Sequence, residues 1–262
     1  MTGVLAVPIQ SLRTSLAPLR GERSDPGSDL APMPLRVAAT GDGAFEVIDG
    51  FKRLARWRGE GQKEIAVVVE PVAGAAMKVR ILSANAPRRT ASPMDEARVA
   101  ASLADLDQHS PAAIGKLLGR KKTWVERRLT LARRLAPELG VRLDRGRLSL
   151  TTALGLSIFG KTEQKRLGEA IFRHALSTRE AEAMLGTYRA APDTPTQEAL
   201  LRDPRAAEPK ISDQGASPLG PTASELEARF GAAFARYAAR VPAFIPRFRW
   251  RSAPTAPADL RA

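Results

Sequence analysis

Two stretches carry side chains whose types and spacing could do chemistry. The first, "GRKKTWVERR", sets Arg120, Lys121, Lys122, Thr123, Trp124, Arg127 and Arg128 directly after Gly119. Guanidinium and ammonium groups at this density suit phosphate oxygens, and one or two of them could reach base edges in a major groove. The second, "DGFKRLARWR", places Gly50 before Lys52, Arg53, Arg56 and Arg58. A glycine at a helix start exposes backbone amides, and the first turn of a helix favours negative charge, so this stretch could hold an anion.

Other chemistries find no support. The chain has no cysteine, which excludes disulfides, thiol catalysis and cysteine-ligated metal. Its two histidines, His109 and His174, lie far apart and in no ligand spacing. No catalytic residue and no metal ligand is read from the sequence.

Charge points the same way as the motifs. Forty-one Lys and Arg stand against 28 Asp and Glu in 262 residues, a formal net charge of +13. Between Lys116 and Arg147 the balance is 11 Lys or Arg to 3 Asp or Glu, so most of the excess is concentrated there. Such a field favours polyanions, and double-stranded DNA is the expected partner. No apolar run reaches the roughly 18 residues a membrane helix needs, so no membrane partner is expected and the location is read as cytoplasmic and nucleoid-associated.

The elements that must position these residues change texture along the chain. "GVLAVPIQSL" reads as a strand, and the Pro, Gly and Ser-rich stretch after it as loop. "LRVAAT" and "AFEVID" flank an Asp42-Gly43 turn and read as a hairpin with Leu35, Val37, Phe45 and Val47 on one layer. The β-branched run "EIAVVVEPV" suits a buried strand. From Ser92 the pattern becomes helical. Ser92-Pro93-Met94-Asp95 and Ser110-Pro111 are cap-plus-proline starts, while Thr123 to Glu126 and Ser177 to Glu180 read as capping boxes.

Two of these helices form a helix-turn-helix. Ala113, Ile114, Leu117 and Leu118 make the stripe of the first, Gly119 the turn, and Val125, Leu129 and Ala132 the stripe of the second, expected over about Trp124 to Leu135. The basic side chains named above, Arg127 and Arg128 included, then belong to its start and outer face. Residues 191–221 are poor in large apolar side chains and read as a flexible linker. Beyond it Leu226, Phe230, Phe234 and Tyr237 define a short amphipathic helix within 222–262, followed by a disordered basic tail.

The order of these elements and several boxes resemble the ParB partition family. Gly50, Phe51, Lys52 and Arg53 match its Gly-Glu-Arg-Arg box. Ala84, Asn85, Ala86, Pro87 and Arg88 match its Glu-Asn-x-Gln-Arg box, with Pro93 in register at the following helix start. "GRLSLTTALGL" and "LSTREAEAML" resemble the helices after the family's helix-turn-helix. The resemblance implies an α+β chain: a small ParB/sulfiredoxin-like α/β domain over 1–91, then an all-α helix-turn-helix domain over 92–190. It implies sequence-specific DNA binding in plasmid or chromosome partition or mobile-element maintenance, with a homodimer as the acting form and a partition ATPase left open. It also implies CTP as a cofactor, held by Gly50, Lys52, Arg53, Asn85 and Arg88, with a DNA clamp of weak CTPase activity as one alternative function; a transcriptional regulator or a protein-interaction adaptor is the other. Phe51 and Ala84 stand where the family has glutamates, so a magnesium ion would lose carboxylate ligands. Sulfiredoxin chemistry needs a cysteine that the chain lacks.

Overall fold

The computed structural model describes residues 3–21, 33–85 and 91–207. The chain divides into two compact units, Met1–Pro209 and Lys210–Ala262. The second unit, and with it the expected C-terminal helix, lies outside the described residues.

The first unit opens with a five-stranded sheet built from β1 (Val4–Pro8), β2 (Leu12–Arg13), β3 (Leu35–Ala39), β4 (Phe45–Asp49) and β5 (Glu64–Glu70), in the order β1-β5-β3-β4-β2. β3 and β4 form the antiparallel hairpin read around Asp42-Gly43, with Val37 opposite Val47. β5 lies parallel to β3, so the chain must cross over between β4 and β5, and α1 (Phe51–Gly59) makes that crossover. Period-two alternation sorts the side chains into two layers. Leu35, Val37, Val47 and Val67 join Leu54 of α1 on one face, whereas Ala38 and Ile48 face Ile81 of α2 (Ala75–Asn85) on the other.

Helix α2 is not foreshadowed in the sequence, because its apolar side chains serve two surfaces. Ile81 packs on the sheet while Val79 and Leu82 pack toward the helical half. Apolar residues thus surround the helix, and no single stripe marks it. Its polar positions are paired inward as well: Lys78 Nζ donates to Asp107 Oδ2 at 2.7 Å, and Arg80 reaches Glu70.

The helices follow as α3 (Pro93–Asp105), α4 (Pro111–Leu118), α5 (Lys122–Arg134), α6 (Pro137–Asp144), α7 (Leu150–Leu156), α8 (Lys161–Arg173), α9 (Thr178–Ala190) and α10 (Thr194–Arg202). Ser92, Ser110 and Ser177 cap α3, α4 and α9 as their sequence patterns require. Ser92 and Asp95 complete a reciprocal capping box. Asp95, fully buried, also accepts from Gly21 N at 2.7 Å and from Arg20 Nη1 at 2.9 Å, which ties the segment after β2 to the start of α3. Asp144 receives Ser92 Oγ at 2.5 Å and Arg98 Nη2 at 2.5 Å, binding α6 to the same point.

A second core unites Leu131, Leu135, Leu139, Leu156, Leu167 and Met184. At its centre is a polar side chain, Gln164, with no exposure: its Oε1 accepts from Ala136 N at 2.7 Å, and its Nε2 donates to Arg134 O at 2.8 Å and Phe159 O at 2.9 Å. The start of the stretch read as linker is helical instead. Asp193 caps α10 by accepting from Thr196 N at 2.8 Å, and Leu200 is buried in the helical core. Two adjacent leucines, Leu200 and Leu201, added to an existing core, suffice where composition alone suggests loop.

Candidate nucleic-acid interface

The basic run folds around a turn that only small residues allow. Gly119 ends α4 at φ 63, in the left-handed region, and Arg120 N bonds back to Gly115 O at 2.8 Å. Gly115 is equally constrained, since a Cβ there would lie 2.6 Å from Arg120 O. The two helices then cross closely over Ile114 and Val125, both fully buried, together with Leu129. Leu117, expected in the stripe of α4, is instead 43% exposed beside the turn.

α5 starts earlier than the Thr123 box implies. Lys121 is its N-cap, no side chain caps it, and Thr123 lies inside the first turn, exposed. The backbone hydrogen bonds decide this, because Trp124 N and Val125 N both bond to Lys121 O. The result is a helix amino terminus whose first-turn amides receive no capping oxygen and which is flanked by exposed Arg120, Lys121, Lys122 and Thr123. Partial positive charge from the helix adds to these cations, the combination that attracts phosphate. Arg127 projects outward one turn later.

The remaining two residues of the run face inward. Arg128, expected on the outer face, is 6% exposed, and its Nε donates to Glu96 Oε2 at 2.7 Å while Nη2 lies 2.6 Å from the same oxygen. Its helical position is set by the packing of α5 on α3, which a linear reading of basic residues does not register. Trp124 is half-buried, with the guanidinium carbon of Arg128 4.7 Å from its ring centroid and that of Arg120 at 5.4 Å.

The second set is divided. Gly50 takes φ 103 before α1, and a Cβ there would run into Leu35 Cδ2, so the turn requires glycine. Lys52 is exposed on the first turn. Arg53 is turned inward: it pairs with Asp49 at 3.1 Å and donates to Pro34 O at 3.1 Å and to Met33 O, which fastens α1 to the end of β4 and to the segment just before β3. Asn85 closes α2; its side chain and Arg88 lie outside the described residues. The amino terminus of α1, with no side-chain cap and exposed Lys52 beside it, offers amides and a cation to an anion, whereas neither Phe51 nor Ala84 supplies a carboxylate for a magnesium ion.

Comparison with known proteins adds a sequence relative. No family model matches the chain. It is 27% identical over 152 residues to a probable chromosome-partitioning protein ParB of Coxiella burnetii, covering 58% of this chain and 52% of that protein. The chain thus spans about half the length of the curated relative it matches. Among solved structures, C-terminally truncated ParB of Caulobacter crescentus complexed to the centromeric parS site is 22% identical, with a TM-score of 0.41, covering 71% of this chain and 100% of that one. The same protein complexed with CTP-gamma-S is 19% identical, with a TM-score of 0.28, covering 63% and 98%. Over those 152 residues the chain is thus similar to a ParB protein, in keeping with the ordered boxes described above.

Proposed function

We propose that this divergent ParB relative is a sequence-specific double-stranded-DNA-binding protein that reads its site with α5 and acts in partition of a plasmid or chromosome, or in mobile-element maintenance. The observation that carries the reading is the uncapped amino terminus of α5, ringed by exposed Arg120, Lys121, Lys122 and Thr123 and followed by Arg127. Amides and cations there can grip phosphates, while Thr123 and Arg127 are placed to meet base edges once the helix enters a major groove. A two-fold site read by a homodimer, in the cytoplasm on the nucleoid, is the setting this implies. No catalytic step is part of it.

The test is duplex binding over a salt series, using fragments selected from a genomic pool. Affinity should fall steeply with salt, with a logarithmic slope of about −0.9 for each phosphate neutralised. Absence of binding to any pooled fragment at low salt refutes the reading.

A CTP-dependent clamp is the second reading, favoured by the left-handed Gly50 turn and exposed Lys52 at the start of α1. Its measurement is CTP titration of the full chain with and without magnesium. Binding that needs magnesium would contradict the ligand set described above.

A further inference from the structure

We infer that Glu96 is a positioning residue for DNA recognition, acting through Arg128 and Trp124 to aim Arg120 at the start of α5. The inference rests on the DNA-binding reading and deepens it. Four side chains from two distant parts of the sequence form one continuous stack. Glu96, in the first turn of α3, fixes the buried guanidinium of Arg128 through two nitrogens converging on Oε2. Arg128 lies against the Trp124 ring at 4.7 Å, and the ring carries Arg120 at 5.4 Å. Of the three arginines in the run, Arg127 extends into solvent and Arg128 is buried, whereas Arg120 is exposed yet held by an aromatic ring.

The physical consequence is preorganisation. A free arginine loses rotamer freedom when it grips a phosphate or guanine, and a ring that already restricts its guanidinium lowers that cost. The ring can do this only if it is itself held. Glu96 supplies the hold, since without its carboxylate Arg128 would be a buried cation lacking its partner and would turn toward solvent, leaving Trp124 unsupported. Glu96, Arg120 and Trp124 also line one cleft of ≈ 700 Å³ between α2 and the helix-turn-helix turn, which gives the stack room to rearrange when the hold is removed.

Charge alone predicts the opposite of this inference, and that makes it testable. Removing a carboxylate beside a DNA-binding surface should strengthen attraction to any duplex. The positioning role predicts that Glu96→Gln in the full chain weakens binding to the selected site about tenfold and lowers the salt slope by about one. Non-specific binding should fall less, because there the lost phosphate contact is offset by removal of a repelling carboxylate. Trp124 emission should shift in the DNA-free protein. Adding Arg120→Ala to Glu96→Gln should cost little further, whereas Arg120→Ala alone costs about as much as Glu96→Gln.

Trp124→Leu, which keeps an apolar filler while removing the platform, must reproduce the specific-site loss, and it decides the matter if Glu96→Gln does not fold. Wild-type specific affinity and salt slope in folded Glu96→Gln or Trp124→Leu, or additive losses in the double variant, overturn the inference. In that event the DNA-binding reading stands or falls separately, on whether the wild type binds duplex and loses affinity when Lys121, Lys122 and Arg127 are replaced by Ala. A wild type that binds no duplex overturns both.

Discussion

Gly115 and Gln164 show how single residues govern the geometry of the basic helix. Gly115 lets the backbone at Arg120 approach within a distance that any Cβ would violate. Gly115→Ala should therefore push the turn away from α4 and cost about 1–3 kcal/mol, the usual range for overpacking, read as a lowered denaturation midpoint together with weaker DNA binding. Gln164 fixes the far end of α5 by satisfying Ala136 N, Arg134 O and Phe159 O in the core. In Gln164→Leu the volume is nearly kept and Arg134 O still accepts from Lys161 Nζ at 2.8 Å, but Ala136 N and Phe159 O lose the Gln164 bond, so a loss of about 1–3 kcal/mol is expected from buried unsatisfied groups. Urea denaturation checks it; a neutral effect would mean that water reaches the site. Arg53 carries a lesson of its own. A cation that the resemblance assigns to a nucleotide is here bonded to Asp49 and to two backbone carbonyls, work that keeps α1 on the sheet.

Among elements, α9 and the segment that follows α10 provide a pH-dependent junction. Glu180 accepts from the Ser177 backbone amide and hydroxyl and from Arg205, and these bonds hold its carboxyl well below its ordinary 4.5, at about 2. Arg205 also donates to His174 O at 3.2 Å, so the same side chain joins the end of α8, α9 and the turn at Pro204–Ala207. A carboxylate depressed in the folded state adds stability that is fully present above the unfolded pKa and is lost as pH falls toward the folded one. Stability should thus decline between about pH 4.5 and 2, and Glu180→Gln should flatten that part of the curve. An unchanged acid limb in thermal melts followed at stepped pH would show that the capping box and Arg205 contribute nothing to the junction. The cap signals of α3, α4 and α9 are legible because capping is local: a serine, a following proline or acid, and amides three residues on. The start of α5 is harder to place because Thr123 and Glu126 have the spacing of a box, while the Gly119 turn and the bonds to Lys121 O begin the helix before them.

For the whole molecule, the charge excess between Lys116 and Arg147 is gathered at one helix start and its neighbouring faces. Replacing Lys121, Lys122 and Arg127 together by Ala should weaken specific and non-specific binding alike and reduce the salt slope by about one for each phosphate no longer neutralised, measured by anisotropy titrations at several salt concentrations. Unchanged affinity in a folded variant would place the interface elsewhere. From its sequence alone the chain determined its hairpin, its buried strand, its serine-capped helices and the basic helix-turn-helix, since alternation, capping and charge density are read over a few neighbouring residues. Tertiary structure alone decided which cations remain available. Arg53 and Arg128 are turned inward by Asp49 and the loop before β3, and by Glu96 on α3. Helix α2 emerged only when the sheet and the helical half both claimed its apolar side chains. In each instance the deciding partner lies on another element, and burial between elements follows from how they pack, which short-range pattern does not encode.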